Sequence, residues 1–185
     1  MASTKYSLAQ TIIFDEENNG FESFVSYHPE MMVSIGTVLC SFKDGVLYTH
    51  DDEPFYNNFY GVQYDSTITP VFNQNELEKK TFLAVEQLAT QAWDCPEIIT
   101  SSNEYLKVKQ VSELIVEDFA ELEGNYNASF LRASNSEGGL LEGSSLKGNL
   151  MSIKFRAVNE NPPNNTLISL NLVSVKAIDS PLTNK

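Results

Sequence analysis

The chain has 185 residues and a formal net charge of -13, long enough for a substantial core and acidic enough to repel a nucleic-acid backbone unless a basic patch reverses the field locally. No such patch is present: Lys79-Lys80, and Lys147 with Lys154 and Arg156, are sparse and interleaved with acidic or apolar residues, the pattern of solvated surface charge. Hydrophobic residues are 42% and aromatics 11% of the chain, too rich in Phe and Tyr for a polypeptide that stays disordered, so it should fold.

The expected organisation is an arm and first strand over residues 1–19, a β-rich domain over 20–179 and a polar tail over 180–185. Gln10 to Phe14 is a short strand candidate, ended by the acidic, Asn-rich run Asp15–Gly20. Phe21 to Tyr27 alternates bulky with small or polar side chains, which places Phe21 and Tyr27 on one face of a strand ended by His28-Pro29. Thr37–Phe42, Lys43-Asp44-Gly45 and Val46–His50 form the clearest local pattern. Asp44 and Gly45 are the structural turn of a hairpin, because Asp-Gly readily adopts positive φ.

The aromatic run Phe55 to Gly61 leads into a strand over Val62–Phe72. Leu77, Lys80, Phe82, Leu83, Leu88 and Ala92 partly fit helical spacing, so a helix is expected at about 75–90, the alternative being a strand that carries Phe82 and Val85. Short strands follow at Ile98–Thr100, Leu106–Lys109, Leu114–Val116 and Tyr126–Arg132, and then a flexible Ser/Gly-rich tip at Ala133–Gly143. Leu150–Arg156 and Leu167–Val175 are expected to pair, with Met151, Ile153 and Phe155 on the buried face of the first. The fold class is therefore all-β or mainly β, an antiparallel sandwich or a propeller-blade-like meander with at most one short helix.

Chemistry is mostly missing from this pattern. His28 and His50 are the only histidines and sit in no catalytic motif; both read as surface or turn residues. His50, Asp51, Asp52 and Glu53 crowd possible metal ligands, but an acidic loop of this spacing is ordinarily just solvated. Cys40 and Cys95 match neither a zinc knuckle nor a redox pair, and two buried reduced thiols are expected, the alternative being a Cys40–Cys95 disulfide. The glycines at 138, 139, 143 and 148 lack the strand-to-helix context of a phosphate loop. No enzyme activity, cofactor or metal is expected. The opening ten residues lack the pattern of a secretory signal and no apolar stretch approaches about 18 residues, so a soluble chain is expected. The rings of Phe55, Tyr56, Phe59, Tyr60 and Tyr64, with Trp93, supply core packing, a protein contact or a sugar-stacking platform.

Several runs resemble virion tail proteins of crAss-like bacteriophages. They are Gly20–Glu30, Ser41–His50 and Asn57–Gly61, then Trp93 with Ile98–Thr100, Asp118-Phe119, Glu123–Tyr126, Phe130–Arg132, Leu146–Gly148 and Asp179–Leu182, in the same order. Those relatives are usually much longer chains that build the muzzle, or nozzle, closing the portal-tail channel. The resemblance implies a virion structural protein assembled in the host cytoplasm, multimeric around the tail axis, with other tail or portal-ring proteins as partners. It leaves open a small independent component or a carboxy-terminal piece of a split muzzle protein. It implies no membrane and no sequence-specific nucleic-acid binding, only passive contact with passing DNA. For that role the expected interface residues are Phe55, Tyr56, Phe59 and Tyr60, with the tip Ser134, Asn135, Ser136, Glu137, Gly138, Gly139 and Leu140. The alternative is a carbohydrate- or receptor-binding β-module using the aromatic run; a hydrolase is the weakest reading.

Overall fold

The computed structural model describes residues 11–50, 57–75, 77–101, 109–157 and 172–181. The expected arm over 1–9, the acidic residues Asp51–Glu53, Phe55, Tyr56, most of the strand at 106–109, the start of the last strand at 167–171 and residues 182–185 lie outside them. Contacts divide the chain into two compact units, Met1–Tyr64 with Asn159–Leu167 and Asp65–Val158 with Ile168–Lys185.

The first unit opens with an antiparallel hairpin of β1 (Thr11–Asp15) and β2 (Gly20–Val25), bulged between Ile13 and Phe14. Asp15 organises the turn. Its carboxylate accepts hydrogen bonds from the Asn18 side-chain amide and from the main-chain N–H groups of Asn18 and Glu17, which together hold its carboxyl below the usual range. Phe21 and Tyr27 do not share a face as the alternation predicts: Phe21 is 76% exposed and Tyr27 is 7%. The bulge interrupts the period of two, and the strand ends at Val25.

Strands β3 (Met31–Ile35), β4 (Val38–Lys43) and β5 (Val46–Thr49) form an antiparallel meander. Lys43 faces Val46 across a two-residue turn in which Asp44 has φ 50° and Gly45 φ 75°, the paired left-handed conformation that matches the twist of a hairpin. A β-branched residue is strained there, so Gly45→Val should cost on the order of 1 kcal/mol or more, read from the unfolding midpoint. A small ribbon, β6 (Asn58–Phe59) with β7 (Val62–Gln63), completes the described part of this unit.

The second unit has two antiparallel sheets. Its strands are β8 (Ser66–Ile68), β9 (Val71–Phe72), β10 (Lys80–Ala89), β11 (Asp94–Thr100), β12 (Val111–Leu114), β13 (Ala120–Leu122), β14 (Asn125–Ser129), β15 (Lys147–Gly148), β16 (Met151–Ala157) and β17 (Leu172–Pro181). One sheet runs β13-β14-β10-β15 with β17 also on β10, the other β12-β11-β16-β8 with β9 also on β16. Phe82 and Val85 of the first sheet and Ile98, Leu114, Met151, Ile153 and Phe155 of the second meet in one buried cluster, as in a sandwich core. The class is all-β, with one short α-helix, α1 (Gly139–Glu142), among the described residues.

Three further local expectations are corrected. The helix at about 75–90 is instead strand β10, with Lys80, Phe82, Val85 and Gln87 buried and a register shift between Phe82 and Ala84. That shift supplies the odd spacing that imitates a helix. The last two strands do not pair with each other: β16 lies beside β11, β8 and β9, and β17 lies along β10. The Val62–Phe72 segment is also broken into three short strands.

Both cysteines are free and buried. Burial, and secondarily the Asp94 carboxylate, pushes the Cys95 thiol far up. Cys95 should therefore react with a thiol reagent only at the rate of unfolding, which absorbance of the released chromophore measures.

Candidate functional site

Phe59 and Tyr60 sit half-buried in a ring cluster of the first unit. The Tyr27 ring lies 4.4 Å from Phe59, 5.1 Å from His50 in a stacked arrangement and 5.8 Å from Tyr60 edge-on. Tyr48 meets Tyr60 at 4.7 Å and Tyr64 meets Phe59 at 6.2 Å. Offset and edge-to-face contacts of this kind hold a core together beyond the area they bury. Trp93 belongs elsewhere, buried in the core of the second unit, so it offers no open face to a ligand.

Ser41 binds the cluster together. Its hydroxyl is fully buried, 2.6 Å from His50 Nε2 and 2.7 Å from the Tyr60 hydroxyl. His50 is thus half-buried among rings rather than a surface histidine. A serine beside a histidine is the pair that nucleophilic catalysis uses. Here the serine oxygen is enclosed and already bonded on both sides, so the arrangement ties β4, the end of β5 and the β6–β7 turn into one packed block.

The 133–144 tip is folded by its own polar side chains. Asn135 pairs like a peptide group with the neighbouring chain: its Oδ1 accepts from the Val111 N–H at 3.2 Å, and its Nδ2 donates to the Lys109 carbonyl at 2.6 Å. The Ser134 hydroxyl donates to the Val111 carbonyl, while Ser136 Oγ donates to the Ala133 carbonyl and accepts from the Ser144 N–H. A Cβ on Gly143 would lie 2.3 Å from the Gly139 carbonyl oxygen, so this close return of the chain requires glycine. Gln110, nearly buried, repeats the device by donating to the Ser145 carbonyl and accepting from the Lys147 N–H.

The tip is therefore a hydrogen-bonded segment that includes α1, with Ser134, Asn135, Glu137 and Gly138 exposed, and Ser136, Gly139 and Leu140 half-buried. Within it, on α1, Leu141 is 84% exposed, a position outside the expected contact residues Ser134–Leu140. Phe59, Tyr60 and the tip are placed by separate units. The sequence also does not single out the exposed apolar side chains of β1–β5, among them Phe24, Met31 and Ile35. Alternation alone assigns one side of each strand to a core, and only the register and the packing show which sides stay open.

Among the described residues, the marked ionic contact is structural. Arg156 makes a two-pronged pair with Asp94 across β16 and β11, closest at 2.7 Å, and the Asp94 hydrogen bond raises the already high guanidinium pKa. Lys80, buried, donates to the Gln74 carbonyl and lies 3.6 Å from Asp179, its near neighbour on β17.

No curated protein matches the chain. Residues 54–133 match the family model described as the Crassvirus muzzle protein C-terminal domain. That stretch runs from the end of the first unit through β14 and contains the Asn57–Gly61, Trp93, Ile98–Thr100, Asp118-Phe119, Glu123–Tyr126 and Phe130–Arg132 runs. Over this stretch the chain is similar to crAss-like phage muzzle proteins, and the similarity supports a virion tail structural role.

Proposed function

We propose that this chain is a non-catalytic structural part of the tail muzzle, or of a portal-proximal ring, of a tailed double-stranded DNA phage, present in several copies around the tail axis and assembled in the host cytoplasm. The muzzle-domain similarity over residues 54–133 carries the reading. An acidic wall suits a DNA channel, because it repels the phosphate backbone and lets the genome slide. The tip Ser134–Leu140 and the aromatic run around Phe59 and Tyr60 are proposed as contact regions. At the tip the exposed Glu137 and Gly138 are free to meet a neighbour, while Asn135 and Ser136 hold the loop in shape. The carbohydrate-binding alternative is weaker because sugar stacking needs an open ring face, and Phe59 and Tyr60 pack against Tyr27 and Tyr48, leaving only their half-buried edges for a protein contact.

The test is imaging of intact phage particles carrying a label on the C-terminal residues of this chain. Label at the tail vertex supports the assignment. Particles without label, together with a protein whose melting temperature rises with host-surface glycans, would transfer it to a binding module.

A further inference from the structure

Among the described residues, the first unit presents two faces with exposed apolar side chains. Residues opposed across antiparallel strands share a face, so the β1–β2 register gathers Ile12, Phe14, Phe21 and Phe24 on one side of the hairpin. All four are exposed, Phe24 at 69%, and Phe14 and Phe21 touch edge-on at 5.3 Å. In the meander the register sets Met31, Phe42 and Leu47 in a row across three strands, next to Val33 and Cys40 and then Ile35 and Val38. Met31, Ile35, Val38 and Leu47 of this face are exposed, while Cys40 between them is buried. The opposite side of the same strands carries Ser41 and Tyr48, which enter the ring cluster. The paired positions of both faces carry no charged residue, in a chain with 25 Asp and Glu; Glu22, the unpaired residue of the β2 bulge, is the one charge beside the hairpin face.

We propose that the hairpin face of one copy docks on the meander face of a second copy, in a head-to-tail contact that repeats from copy to copy. The proposal rests on the reading of the chain as a multi-copy part and adds the surfaces that join the copies. Charge selects the occupant. Two copies of a -13 chain repel wherever their surfaces are charged, so they meet at low cost only through uncharged faces, whereas a basic partner would bury its cations there unpaired.

Area agrees with that choice. Taking roughly 200 Å² for each large side chain, each face exposes on the order of 450 Å², so the two are matched in size. One contact then removes on the order of 1,000 Å² in total, which reaches the threshold of a specific interface and fits micromolar more than nanomolar affinity. Pairing either face with its own copy would leave the other uncovered, whereas head-to-tail docking covers both and closes as a ring or extends as a row. The hairpin also gains: a two-stranded ribbon is marginal by itself and is stabilised when it packs on a sheet.

The experiment uses two variants of the full chain, Phe21→Glu with Phe24→Glu, and Met31→Glu with Ile35→Glu, with mass photometry and light scattering. Wild type should grow in mass with concentration up to about 100 µM, the range in which micromolar contacts saturate. Each variant alone should stay monomeric, with far-UV circular dichroism and melting close to wild type. Their equimolar mixture should form a dimer and nothing larger, because each variant keeps one sound face. If a glutamate variant unfolds, Phe24→Ser and Ile35→Ser repeat the mixing test. A mixture that stays monomeric, or a wild type that is monomeric throughout, overturns the contact. Label at the tail vertex in that case leaves the tail assignment standing, and a failure of the two readings is thereby told apart.

Discussion

Replacing Gln87 by Leu should destabilise the second unit by about 3 kcal/mol, although the new side chain is apolar and similar in size. Gln87 is fully buried on β10. Its Nε2 donates to the Trp93 carbonyl at 2.8 Å and its Oε1 accepts from the Trp93 N–H at 2.9 Å. The side chain thus pairs with the start of β11 as a neighbouring strand would, and closes the β10–β11 connection. Leucine removes both bonds and leaves two buried main-chain groups unpaired, at about 1–3 kcal/mol each. Urea unfolding should show a lower midpoint with an unchanged slope, and a unit of about 100 residues should melt on the order of 15 °C earlier. A loss below about 1 kcal/mol would mean that the backbone relaxes to find other partners. Gln87→Glu should be worse at pH 7, because it buries a carboxylate and loses the donor. It should regain part of the loss as pH falls, since burial raises the folded-state pKa and the protonated carboxyl can donate.

Phe155→Ala should cost about 3–5 kcal/mol, the range for an aromatic removed from a packed core. Phe155 is fully buried at the centre of β16, opposite Ile68 on β8, in the cluster that draws on both sheets. The cavity has little means of collapse, because β16 is held on one edge by β11 and on the other by β8 and β9. Equilibrium unfolding monitored by Trp93 fluorescence reports the effect directly, since Trp93 belongs to the same cluster. The proposed surfaces of the first unit behave differently. Phe21 and Phe24 are exposed, so their replacement should alter association and leave unfolding nearly unchanged.

These contrasts separate what holds each unit together from what is left open for a neighbour. Core and hydrogen-bonded residues such as Phe155, Gln87, Ser41 and Asn135 make the shape. The uncharged faces of β1–β5 and the exposed part of the tip are the surfaces a structural subunit has to offer. The proposed docking joins copies where the paired positions of β1–β5 carry no charge, and on the proposed tip contact Glu137 is the one charged residue.

Short-range signals in the sequence were enough for the class and for several elements. Lys43-Asp44-Gly45-Val46 specifies a tight turn because two adjacent residues tolerate positive φ. Met151, Ile153 and Phe155 declare a half-buried strand because alternation in a strand has a period of two whatever its neighbours are. The muzzle resemblance was likewise legible, because its turn, core and strand residues are local features of the chain.

Partner choice was not legible. Residues 75–90 carry a mixed pattern that became strand β10 only because β14, β15 and β17 hydrogen-bond along it, and a ladder outweighs weak helical spacing. β16 and β17 are equally good strands to read, yet they joined different sheets, since pairing depends on the packing of the whole core. A single bulge in the first hairpin separated Phe21 from Tyr27 and turned one out and the other in. The sequence by itself determined that this is an acidic all-β chain with a hairpin at Asp44-Gly45, because those properties follow from composition and local backbone preference. Only the tertiary structure decided which apolar faces are covered and which remain open, because burial is a property of what packs against a residue and not of the residue itself.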